Sequence, residues 1–242
     1  MQVLYAHEHS FTFRIESLTP DAVWQAALED SSFKVPVFHQ ASGAVQQLPL
    51  KELVQNRVPY GVRGWCRGEV QWSCARNRTA QHQRIDAGDQ LGTDVLKGKF
   101  PMSPAAFEQL MADARFTHRS DKEAVSQLQA KIFHEKVSAC EQAVLENLPA
   151  EEVWHLAESL KFYKRLKALK LIDVFVGKEE AKALGEAVAS LKTLEDIHIK
   201  LSNGSDGSAV AEALAEALKQ SSSLTTIDLS GNRIGDDGAK AA

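Results

Sequence analysis

Cysteine is scarce in this 242-residue chain, which has only Cys66, Cys74 and Cys140. An odd number without a Cys-x-x-Cys spacing excludes a disulfide-stapled extracellular scaffold and predicts reduced thiols in an intracellular, cytoplasmic protein. With 7 prolines and 14 glycines, the chain is neither collagen-like nor low-complexity. No apolar run is long enough for a membrane span. The opening Met1-Gln-Val-Leu-Tyr-Ala-His-Glu-His9 lacks a basic start and an apolar stretch, so it does not read as a secretion signal. On that reading the glycosylation-type tripeptides at Asn77 and Asn203 are chance matches. Net charge is small as well, −4 from 28 basic and 32 acidic residues, which argues against a chain that binds nucleic acid as a whole. What is present is ordinary globular composition, 44% hydrophobic and 25% charged, enough for one or two domains with real cores.

The charges are unevenly divided. Through Lys136 there are 16 basic and 15 acidic residues, a balance of +1; beyond it there are 12 and 17, a balance of −5. Nine arginines precede that point, and only Arg165 and Arg233 follow it. Six of the nine (Arg57, Arg63, Arg67, Arg76, Arg78, Arg84) fall in a stretch whose single acid is Glu69. Such a shift predicts two modules of different role.

The downstream module is a repeat. Leu166-x-x-Leu169-x-Leu171, Leu194-x-x-Ile197-x-Ile199 and Leu224-x-x-Ile227-x-Leu229 recur at intervals of 28 and 30 residues. Leu156, Leu184 and Leu214 precede each opening Leu by ten positions, and Leu160, Val188 and Leu218 by six. Those columns are a helical step apart, whereas the Ile227-x-Leu229 alternation has the period of a strand. The third copy continues Ser-Gly-Asn232-Arg-Ile-Gly-Asp-Asp-Gly238 and resembles the leucine-rich repeat of the ribonuclease-inhibitor type. The resemblance implies a solenoid of parallel strands with helices on its convex side, and an Asn that satisfies turn backbone groups. In the second copy Asn203 is displaced by one; the first has no Asn, as an amino-terminal cap would. Ending at Ala242, partway into an expected helix, the chain reads as a fragment of a longer array.

Ahead of the repeats the pattern is helical. Ser103-Pro104 predicts an N-cap with proline at the first position, and Ser120-x-x-Glu123 predicts a capping box. From there an apolar stripe (Val125, Leu128, Ile132 or Phe133, Val137, Cys140, Val144, Leu148) predicts one helix of about 25 residues. Cys140 on that stripe is read as a small core residue. Residues 88–98 read as a loop without the Walker lysine pattern, hence without a phosphate site.

Toward the amino terminus, residues 10–15 and 33–38 read as strands and residues 20–28 as a helix, an α/β pattern. Tyr60-Gly-Val-Arg-Gly-Trp65-Cys66-Arg67-Gly68-Glu69-Val70-Gln-Trp72 follows. It resembles the Trp-Cys-Leu-x-Glu-Leu helix of TIR (Toll/interleukin-1 receptor-like) domains, although Arg67 stands at the family's Leu and Gly68 lies within the helix. Together with the repeats, these motifs also resemble large protist proteins, notably of dinoflagellates, that combine a TIR-like domain with leucine-rich repeats. Some TIR domains hydrolyse NAD, and the resemblance makes Glu69 the catalytic candidate. A carboxylate can stabilise the oxocarbenium charge of a breaking nicotinamide-ribose bond, while the arginines would keep it ionised and pair with the pyrophosphate. The plainer alternative packs Trp65, Cys66, Val70 and Trp72 onto a sheet and pairs Glu69 with Arg63 or Arg67. The arginine-rich stretch with Tyr60, Trp65 and Trp72 as a nucleic-acid surface is the least favoured reading. The histidines form no HExxH, His7-Glu8-His9 reads as a solvated strand edge, and no metal or resident cofactor is expected.

The expectation is thus an α/β protein: a TIR-like segment over residues 1–100, a helical linker over 101–150 and leucine-rich repeats over 151–242. Its working surface would be the concave face, where residues alternating with the core positions align in rows about 4.8 Å apart. The rows are Ala168, Asp196 and Thr226; Lys170, His198 and Asp228; and Ile172, Lys200 and Ser230. Mixed polar rows without an acidic cluster or aromatic pair suit a protein partner, with NAD entering only through the alternative reading.

Overall fold

The structure is a computed structural model that describes residues 2–86, 97–118 and 120–235. The chain opens with one helical turn, α1 (Gln2–Tyr5), and a short strand, β1 (Thr12–Arg14). Helix α2 (Asp21–Glu29) and strand β2 (Lys34–His39) stand where the sequence predicted them. β2 is one arm of an antiparallel hairpin with β3 (Ala44–Pro49), an element not anticipated, turning at Gly43 with φ +64°. After α3 (Gly64–Cys74), strand β4 (His82–Arg84) pairs in parallel with β1. Among the described residues the upstream region therefore holds two separate two-stranded sheets. Instead of packing on a sheet, α3 lies against α1 and the later helix α5 (Asp121–Ala139). His7-Glu8-His9 is a turn rather than a strand edge, and Glu8 accepts from Asn77 N at 3.1 Å and pairs with Lys136 at 2.5 Å.

Before α5 comes α4 (Pro104–Leu110), whose expected cap forms: Ser103 Oγ accepts from Ala106 N at 3.2 Å. The expected capping box does not. Ser120 already has helical angles and makes no capping bond, while Glu123 accepts from Gln127 one turn on. Nor does α5 reach Leu148. Cys140 leaves helical space at ψ 121°, and β5 (Gln142–Glu146) begins. Ala143 and Leu145 are buried while Val144 is half-exposed, a two-residue period that a helical stripe through 137, 140 and 144 had absorbed.

From β5 onward strand and helix alternate: α6 (Ala150–Leu160), β6 (Ala168–Val174), α7 (Lys178–Ser190), β7 (Asp196–Leu201), α8 (Gly207–Gln220) and β8 (Thr226–Asp228). The strands form one parallel sheet in the order β5-β6-β7-β8, and the helices cover one face. Its register aligns Ala143, Leu169, Ile197 and Ile227 in one apolar row and Leu145, Leu171 and Ile199 in the next. Leu156, Leu184 and Leu214 seal them from above, together with Leu160 and Val188. Leu218, the third member of that second helical column, is 40% exposed, because no described helix lies beyond α8; Ala217 is buried instead. Helices α7 and α8 approach closely at Gly185, where a Cβ would stand 2.8 Å from Ala213 O.

Cys140-x-x-Ala143-x-Leu145 fills the places that Leu166-x-x-Leu169-x-Leu171 fills one repeat later. The copy expected to be an amino-terminal cap is therefore an interior unit, and Cys140 is a buried core residue as read. The outer edge of β5 is closed by the upstream region. Val144 N donates to Asn77 O at 2.8 Å, Arg78 bridges Val144 in parallel, and Thr79 Oγ1 accepts from Glu146 N at 2.6 Å. Most of the 88–98 loop reading and the helix expected after the third strand lie outside the described residues. Among the described residues no helix is long and apolar enough to cross a membrane.

Candidate functional site

The sheet face opposite the helices carries the residues singled out from the repeat. Ala168, Asp196 and Thr226 are register partners, as are Lys170, His198 and Asp228. Ile172 aligns with Lys200; Ser230 lies beyond the end of β8. Strand β5 extends these rows by Gln142, Val144 and Glu146, which sequence reasoning assigned to a helix. Lys170, Asp196, Lys200, Thr226 and Ser230 are exposed; Ala168, Ile172, His198 and Asp228 are half-buried.

Within this face the charges are partly settled. His198 Nδ1 lies 2.8 Å from Asp228 Oδ2, and Lys200 Nζ lies 3.8 Å from Asp173 Oδ1. The Ser230 hydroxyl and N–H donate to Asp228 Oδ1 at 2.6 and 2.9 Å. Those bonds, with His198 a smaller contributor, hold the Asp228 carboxyl down at about 2. Asn232 fixes the end of the last turn: Nδ2 donates to Ile199 O at 2.5 Å and Leu229 O at 2.8 Å, and Oδ1 accepts from Leu201 N at 2.7 Å. Buried as it is, this one amide serves three backbone groups on two repeats, as the repeat resemblance implied.

Glu69 lies elsewhere, half-buried on α3. Burial pushes its carboxyl up, and a hydrogen bond with the Tyr5 hydroxyl opposes this. The expected arginine partners are engaged otherwise. Arg63 Nε donates to Val58 O at 2.7 Å, and Arg67 donates to Gly61 O at 2.7 Å and pairs with Asp113 at 2.6 Å. Glu69 is thus shifted up by desolvation rather than held ionised by arginine. Tyr60 and Cys66 are close enough to feel its charge, and both are raised, by burial first. Trp65, expected in the core, is 44% exposed because its Nε1 donates to Asp121 at the start of α5, 2.9 Å away; Trp72 is buried.

The other arginines of the stretch are also structural. Arg76 is 3% exposed and donates to Tyr5 O, Ser10 O and Gln81 O at 2.7–2.8 Å, and to Thr12 Oγ1. Arg57 donates to Thr19 O at 2.8 Å, pairs with Asp21 and stacks over Trp24. Arg84 pairs with Asp86 at 3.0 Å. A stretch used in this way is not an open cationic surface for pyrophosphate or nucleic acid. Arg78 is the exception, exposed beside Val144.

The contact between Cys74 and His82 also escaped sequence reasoning. Cys74 Sγ and His82 Nδ1 lie 2.9 Å apart, and Arg14 donates to His82 Nε2 at 3.1 Å. Since Nε2 accepts, the neutral ring carries its proton on Nδ1 and donates it to sulfur. Burial raises the thiol to about 12 and, with the nearby cations, lowers the imidazole to about 3, so the pair is a neutral packing element rather than an activated nucleophile. An eight-residue separation matches no ligand spacing and gave no signal. All three cysteines are free thiols.

Compared with known proteins, the chain has no match among curated ones. A family model described as Leucine Rich repeat matches residues 220–241, which include β8 and the Asn232 turn.

Proposed function

We propose that the chain is an intracellular protein-interaction module acting in signalling or scaffolding through the concave face of a leucine-rich-repeat solenoid of the ribonuclease-inhibitor type. The observation that carries this reading is the register of the parallel sheet, which sets Lys170, His198 and Asp228 side by side opposite the helices. The family match over the last strand supports it, and a match of this kind suggests protein binding. Ala168, Ile172, Asp196, Lys200, Thr226 and Ser230 complete the contact surface. Residues 151–242 are the binding unit; residues 101–150 connect it to the α/β segment over 1–100, and β5, at the end of that connection, extends the sheet. Charge-assisted hydrogen bonds across such a surface contribute about 1.5–3 kcal/mol each when desolvated. The test is capture of partners from native cell extract. Lys170→Ala, His198→Ala and Asp228→Ala should each reduce capture without unfolding the protein, while Glu186→Ala and Glu216→Ala on the helices should not. Loss on the helix side with retention on the sheet side would place the interaction on the wrong face.

A second reading, a TIR-type NAD nucleosidase acting through Glu69, is favoured by one observation: the carboxyl is half-buried, raised and bonded to Tyr5. Nicotinamide release from NAD that disappears in Glu69→Gln would establish it; equal, negligible release from both proteins would remove it.

A further inference from the structure

The row through Lys170 does not end at the first repeat strand. Arg78 bridges Val144 in parallel, Val144 aligns with Lys170, Lys170 with His198, and His198 with Asp228. Bridge partners in a parallel pair project from the same side of a sheet. Arg78 is exposed between Asn77 and the buried Thr79, so its side chain joins the open face. The open face therefore crosses from the repeats onto the arginine-rich region.

This extension sets the charge of one end. Arg78 and Lys170 make no ion pair among the described residues, whereas Asp228 is held by His198 and Ser230, and Asp173 lies beside Lys200. Two strand steps of about 4.8 Å separate the two cations, or about 10 Å, with the half-buried Val144 between them. Glu146 and Asp196 lie in the flanking rows, so an acid approaching out of line with Arg78 and Lys170 meets a like charge. Resting on the concave-face reading, we infer that Arg78 and Lys170 bind an extended acidic peptide segment whose carboxylates are about 10 Å apart, with an apolar residue over Val144. A polyproline II helix meets that spacing at every third residue, about 9.3 Å. Acidic residues at i and i+3 with proline between them are the matching chemistry, and carboxylate against guanidinium gives the stronger half of the contact.

A fluorescein-labelled ten-residue peptide with Glu at every third position in a proline background serves as the probe, measured by fluorescence anisotropy with the full chain. The Glu peptide should bind at least tenfold more tightly than its Gln counterpart. Arg78→Gln and Lys170→Gln should each weaken binding about five- to tenfold, Arg78→Lys within twofold, and Glu186→Gln not at all, with unchanged melting temperatures. Binding unaffected by Arg78→Gln would overturn the proposal. Equally tight binding of a single-stranded DNA of the same length would overturn it too, by showing a general polyanion surface. If the peptide fails to bind while His198→Ala and Asp228→Ala still abolish partner capture, the acidic partner is wrong and the concave-face reading stands. If capture survives those variants as well, that reading falls.

Discussion

Residues 2–86 and 140–235 meet the same requirement, satisfying the backbone where short elements end, with different side chains. Upstream, arginine does it: Arg76 gathers carbonyls from Tyr5, Ser10 and Gln81, and Arg57, Arg63 and Arg67 each take another. Downstream, the strands satisfy one another in parallel, and Asn232 and Ser205 serve the turns. The apolar share differs accordingly. The repeat core runs unbroken from Cys140 to Leu224, whereas among the described residues the cluster ahead of it buries Ala6, Trp72, Ala75, Phe107, Met111, Val125 and Ile132, of which the first three belong to residues 2–86. Phe13 within β1 and Phe11 and Ile15 on either side of it are 60–64% exposed. A sheet of two strands offers too little surface to bury both faces, so charged hydrogen bonds carry more of the order there. A run of arginines is therefore as good a sign of a loop-rich scaffold as of a polyanion site.

The largest expected effect breaks that comparison at its centre. Arg76→Met keeps roughly the volume and removes the donors, so Tyr5 O, Gln81 O and Thr12 Oγ1 lose that donor and Ser10 O keeps only Gln81 Nε2 at 3.3 Å. The loss should be about 3–5 kcal/mol, confined to the upstream region. Hydrogen exchange should show β1, β4 and α3 losing protection while β6 and β7 keep theirs. Equal loss in both regions would mean that they unfold as one unit and that the difference between them is not energetic.

How much was legible beforehand follows the same division. The repeat was readable because Leu, Ile and Val recur at fixed columns and pack where the period puts them; Asn232 was readable because a known turn demands its amide. Strand β5 was missed because Cys140 and Ala143 are too small to score as members of a leucine pattern, and Val137, Cys140 and Val144 imitate a helical step. The upstream contacts were hidden for a different reason. Arg76 reaching Tyr5 and Ser10, or Cys74 meeting His82, are pairings between separate segments, and no local period encodes them. Glu69 was located by resemblance alone, and its partner Tyr5 lies 64 positions away in the sequence.

A smaller effect sharpens the comparison through pH. The buried His82 imidazole is lowered to about 3 from an ordinary 6.5, so between those values the unfolded chain binds a proton that the folded one does not. Upstream stability should then fall as pH drops below 6.5, by at most about 1.4 kcal/mol per pH unit for one proton. Denaturant melts read by the protection of β1 and β4 between pH 7 and 5 would measure it, above the range of most carboxyl titrations. His82→Gln should flatten the slope. A slope that survives the substitution would assign the acid sensitivity to another group.

The smallest expected effect lies in the repeats, where among the described residues Asp228 is the strongly shifted acid of the open face, and it is lowered by hydrogen bonds rather than raised by burial. The Asp228 carboxyl is lowered to about 2, first by the Ser230 hydroxyl and then by the Ser230 N–H and His198. With a folded value below the ordinary 3.8, its contribution is complete above that value and disappears as pH falls through about 2. The repeat region should therefore show no response from this group across the window in which His82 destabilises the upstream region. Ser230→Ala removes the largest cause but leaves the N–H and His198 in place, so the carboxyl should move up only part of the way toward 3.8. Carboxyl carbon NMR of Asp228 across pH 1.5–6 would follow it in the native protein and the variant. An unchanged midpoint in Ser230→Ala would leave the control with the Ser230 N–H and His198, and an upward shift in His198→Gln would then make the pair between neighbouring repeats the stronger restraint on this face.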